Sequence, residues 1–89
     1  MQTYRISEQL LLQAVNEEMV ILDPDSGRYF TLNEVGSEML GRFREKGDID
    51  DTVAYIASRY EVGEETARRD LLALLDDLVT HGLAEADSA

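Results

Sequence analysis

A chain of 89 residues suits one domain with one modest core, and sits just above the size at which small scaffolds need a staple. None is present: there is no cysteine, which excludes disulfides and thiolate-bound metal and fits a cytoplasmic setting, and no apolar run or basic-then-apolar start marks a membrane span or a signal peptide. Nineteen acidic against eight basic residues give a formal net charge of −11, a field that repels phosphate backbones and anionic lipid and favours a cationic or neutral partner, besides keeping a small protein soluble.

Met1–Glu8 reads as a frayed end. Leu10–Val15 (LLLQAV) and Met19–Asp23 (MVILD) are strand candidates around a turn at Asn16-Glu17-Glu18. Asp23–Gly27 (DPDSG) is a second turn, in which Pro24 presets φ and Gly27 takes φ > 0 as the chain re-enters a strand. Arg28–Leu32 is the third predicted strand. Two hairpins make a three-stranded antiparallel meander, barely self-supporting unless one face is covered.

The cover is helical. Asn33 caps a helix whose stripe is Val35, Met39, Leu40 and Phe43. Gly47-Asp48 ends it and opens a second, with Ile49, Val53, Ile56, Ala57 and Tyr60 on one face. Gly63-Glu64-Glu65 starts a third, its acids suited to the positive end of the dipole. There the stripe is Ala67, Leu71, Leu74, Leu75 and Leu78, and Gly82 follows as a C′ residue. Glu85–Ala89 reads as the other frayed end. The expected class is α+β, winged helix-turn-helix-like, with a single domain over residues 1–89 ordered from about 9 to 84.

The third helix is too apolar for one face. Leu72 and Val79 lie off the stripe, beside Leu75 and Arg68 at about 100° per residue. Either the helix meets both sheet and helices, or Leu72, Leu75 and Val79 wall a groove.

Catalysis finds little support. His81, the one histidine, falls in the last helical turn, where it suits the negative helix end. No serine or cysteine nucleophile has an evident partner. The acid pairs Asp50-Asp51, Glu64-Glu65 and Asp76-Asp77 point apart on their helices, and neither a calcium loop nor a phosphate loop occurs, so no metal or cofactor is expected. A winged-helix transcription regulator is the alternative by shape. Its third helix, however, sets Arg68 and Arg69 against Glu64, Glu65, Asp70, Asp76 and Asp77, which is wrong for DNA.

Peptide binding has a mechanism. The third predicted strand pairs on one side only, and its far side offers unpaired main-chain groups without proline or bulge to blunt them. An extended peptide can add there as a further strand. Alternation puts Tyr29 and Thr31 on one face and Phe30 and Leu32, the more apolar pair, on the core face. Self-pairing of open strands into a homodimer is the structural alternative.

These residues form an ordered set: Gly27, Tyr29, Phe30, Leu32-Asn33, Gly36, Tyr60, Val62, Asp70, Leu78 and Gly82-Leu83. From Val20 to Leu83 the chain resembles the PqqD family. The resemblance implies a RiPP recognition element, a non-enzymatic domain that binds the leader of a ribosomally made precursor peptide along the third strand and against the third helix. It transfers the main-chain platform to Arg28, Tyr29, Phe30 and Thr31, and the wall to one flank of the last helix. Arg68, Leu72, Leu75 and Val79 are the expected flank, and Asp70, Ala73, Asp77 and His81 the rival one. The stand-alone size and acid bias resemble the recognition proteins of lasso-peptide pathways, which work beside a leader peptidase and a cyclase. In the pyrroloquinoline quinone pathway the equivalent protein serves another modifying enzyme, a radical S-adenosylmethionine protein. Gly63 departs from the polar cap more usual in the family, which weakens that cap only slightly.

Overall fold

The computed structural model describes residues 2–88. The chain order is β1 (Gln2–Ile6), β2 (Leu11–Val15), β3 (Glu18–Leu22), β4 (Tyr29–Leu32), α1 (Glu34–Lys46), α2 (Ile49–Tyr60), α3 (Glu64–Thr80) and β5 (Ala84–Ser88). The predicted meander is present as β2-β3-β4, all antiparallel, so the third predicted strand is the fourth of the chain. Its turns follow their chemistry. Gly27 takes φ 74°, and Asp23 holds the loop through its main chain and its carboxylate, which accepts from Asp25 N–H and Ser26 Oγ.

The frayed-end expectation is corrected for both termini. Residues 2–6 and 84–88 pair antiparallel as a separate two-stranded ribbon, with Gln2 opposite Ser88 and Ile6 opposite Ala84; Met1 and Ala89 lie outside the described residues. The reason is packing rather than propensity. Tyr4 and Ala84 are buried from the ribbon and Ile6 packs partly against the same core. At the edge of that core the Tyr4 hydroxyl donates to the exposed Asp76 at 2.6 Å. Burial first, and then this hydrogen bond, push the phenol up to about 12.

α1 packs on the inner face of the meander, and α2 and α3 complete the helical layer by packing on α1 and on each other. Asn33 caps α1, its Oδ1 accepting from Gly36 N–H at 2.8 Å, and Gly47 ends it at φ 66°. Asp48 caps α2 by accepting from Asp51 N–H. Gly63 begins α3 without a side-chain cap, and the helix closes as a Schellman motif. There Gly82 N–H reaches the Val79 carbonyl and Leu83 N–H the Leu78 carbonyl, which folds the buried Leu83 back onto the core. Ile21 and Leu32 from the sheet meet Leu40, Phe43, Val53, Ile56, Leu71, Leu75 and Leu78 in that core.

Candidate functional site

The free edge of β4 has a definite set of outward main-chain groups. Asp23 N–H donates to the Arg28 carbonyl, making Asp23/Arg28 a hydrogen-bonded pair. Bonded and non-bonded pairs alternate along an antiparallel ladder. Ile21/Phe30 and Met19/Leu32 are therefore bonded, and Leu22/Tyr29 and Val20/Thr31 are not. The N–H and C=O of Tyr29 and Thr31 consequently point away from β3. Among the described residues β4 pairs with β3 alone, so these four groups line a vacant rim.

Side chains sort as the alternation requires. Leu32 is buried and Phe30 packs partly on the core, whereas Tyr29 is 72% exposed and Thr31 is exposed on the outer face. Arg28, at the entry to the strand, is exposed. The inner side of the rim has a wall. The rings of Phe30 and His81 meet edge to face, centroids 5.0 Å apart. His81 is held in place as its Nδ1 sits 2.8 Å from the Asp77 carbonyl at the end of α3.

That contact decides which flank of α3 turns to the strand. His81 shares its flank with Leu74, Asp70 and Asp77, which fall within about 60° on the helical wheel. Leu74 packs partly on the core, and Asp70, Ala73 and Asp77 are exposed. The expected flank goes elsewhere. Arg68 reaches Asp50 on α2 at 2.6 Å. Leu72 and Arg68 line a cleft with Thr3, Tyr4, Phe43 and Ile49, none of them from β4. Leu75 is fully buried, and Val79 packs against the same core. The broad apolar face of α3 is thus met by helices on one side and by the terminal ribbon on the other. Tyr4 and His81 are the residues that separate the flanks. The signal for Tyr4 was slight, an aromatic alternating with Ile6 in a short polar segment.

Electrostatics agree with a peptide rather than a nucleic acid. Both cations of α3 are engaged, Arg68 with Asp50 and Arg69 with Asp70 at 3.7 Å. Away from the rim, Arg42 pairs with Asp51 at 2.9 Å while lying 4.7 Å over the Tyr55 ring, and Tyr55 donates to Glu38. Hydrogen bonding from Arg42 holds the Asp51 carboxyl below its usual range. Among the described residues no group of histidines and acids is placed to hold a metal ion, and no helix is long and apolar enough to cross a membrane.

The model of the family described as coenzyme PQQ synthesis protein D, PqqD, matches residues 18–84. The chain belongs to the PqqD family. Its fold is that of a PqqD-like RiPP recognition element, similar to two solved structures. One is TbiB1 in complex with the TbiA(beta) leader peptide: 31% identity, TM-score 0.83, covering 91% of this chain and 94% of that one. The other is lasso peptide synthetase B1 complexed with the leader peptide: 29% identity, TM-score 0.83, covering 93% and 98%. No curated protein matches the chain. The PqqD match spans all of β3, β4 and the three helices, so the vacant rim and the His81 flank both lie within it.

Proposed function

We propose that this PqqD-family chain binds the leader of a ribosomally made precursor peptide by strand addition to β4, and delivers it to modifying enzymes without catalysis of its own. The observation that carries this reading is the vacant rim at Tyr29 and Thr31, walled by Phe30 and His81. Both similar solved structures hold a leader peptide, which supports it. Arg28, Tyr29, Phe30 and Thr31 form the platform, with Leu74 and His81 as the wall and Asp70 and Asp77 along its lip. Four main-chain bonds at about 0.5–1.5 kcal/mol each fix the register, and one or two buried side chains bring the total towards the −8 kcal/mol of a micromolar complex, about −8.2 by the usual arithmetic.

Thr31→Pro tests this. Its N–H faces the rim, so proline removes a guest bond and spares the β3–β4 ladder. Fluorescence polarisation with candidate leaders should show roughly tenfold weaker binding with circular dichroism intact. Equal affinity in the folded variant would count against strand addition.

Delivery has a surface of its own. The outer face of the meander carries Leu11, Gln13, Val15, Glu18, Val20, Leu22, Tyr29 and Thr31, a single charge among eight residues in a chain that is 30% charged. Its centre, Val20, Leu22 and Tyr29, fits an apolar patch on a leader peptidase, a cyclase or another modifying enzyme. Leu22→Asp should slow leader processing while leaving leader affinity within about twofold.

A further inference from the structure

The meander has a second free edge, β2, and the reading of β4 does not account for it. Residues 9–16, QLLLQAVN, carry no charge at all in this strongly acidic chain. Neither charge, proline nor bulge guards the strand, although such protection is the rule at sheet edges.

Its free groups can be placed by the same alternation. Ile21 and Met19 bond towards β4, so Leu22, Val20 and Glu18 bond towards β2, where Leu11, Gln13 and Val15 answer them. The N–H and C=O of Leu12 and Ala14 then point outwards. Among the described residues β2 pairs with β3 alone. The four outward groups are symmetric about Gln13.

We propose that this edge takes a second copy of the chain, antiparallel about a twofold axis at Gln13. Leu12 of each copy exchanges both main-chain bonds with Ala14 of the other. The register then sets Leu11 opposite Val15 on the outer face, and these are two of the four exposed large apolar residues, 57% and 46% accessible. Their exposure is removed by each other. The paired stretch ends at Val15, before the turn at Asn16-Glu17, so no acid falls within it. A closed twofold pair uses up this edge and forms no fibre. It yields a six-stranded sheet with β4 free at both ends, so that one dimer offers two rims.

Net charge sets the conditions. Two copies at −11 each repel one another, and salt screens that repulsion. Sedimentation velocity of the full chain from about 10 µM to about 1 mM should show a dimer that grows with concentration and with added salt. Ala14→Pro removes an outward N–H and should leave a folded monomer across the range, still binding leader as wild type does. Leu11→Lys should also give monomer, and Leu11→Lys with Val15→Glu should restore the dimer by cross-strand ion pairs. A wild-type monomer throughout overturns the proposal, as does a dimer that survives Ala14→Pro, or one lost to Thr31→Pro instead. Leader binding is read separately, so failure here and failure of the β4 reading are distinguishable.

Discussion

The two flanks of α3 contrast. One, with Leu72, Asp76 and Val79, lies beside the terminal ribbon, which Tyr4 fastens to it. The other, with Asp70, Leu74 and Asp77, is met from β4 by a single ring contact, His81 against Phe30. Each flank carries apolar side chains, Leu72 and Val79 on one and Leu74 between exposed acids on the other. What distinguishes them is that the chain has used its own ends on one and left the other beside an unpaired strand. A binding groove is thus partly defined by what has been sealed off next to it.

The largest expected effect is on the sealed flank. Tyr4→Ala removes a buried aromatic and should cost about 3–5 kcal/mol in urea denaturation, enough to threaten a domain of this size. A cost under about 1 kcal/mol would mean that the ribbon does not fasten the flank.

A pH titration probes the same clasp with less damage. Tyr4 is neutral in the fold and its pKa is raised, whereas an unfolded tyrosine ionises near 10. The stability this contributes is intact below pH 10 and is lost as pH rises through 12. Tyr4→Phe should abolish that part of the slope.

Next come substitutions that set flank against flank. Leu72→Asp should lower stability and alter leader affinity only through unfolding. His81→Ala, at an exposed position, should weaken leader binding several-fold, with stability within about 0.5 kcal/mol of wild type. The opposite pattern would exchange the roles of the two flanks. Smallest is Asn33→Ala, about 1 kcal/mol of stability from the lost cap where β4 turns into α1.

Much of this architecture could be read locally. Asp23–Gly27, Asn33, Gly47-Asp48 and Gly82 each announce a boundary through their own backbone chemistry, and the boundaries fall there. Phe30 and Leu32 face inwards because a strand alternates. The ribbon was not legible. Its partners are some 80 residues apart, as Arg5 and Glu85 illustrate, and AEADS has little strand character of its own. Which flank of α3 faces β4 was not legible for the same reason. Periodicity fixes which residues of α3 share a side, but the occupant of that side comes from β1, at the far end of the chain.

Because Gln2 stands opposite Ser88, the backbone enters and leaves the domain at one point, about 5 Å apart across the ribbon. A surface loop of a larger protein could be cut and joined to both ends without either host or insert having to stretch. The ladder itself would act as the stem of a pendant, and the rim of β4 would travel with it as a ready-made peptide dock.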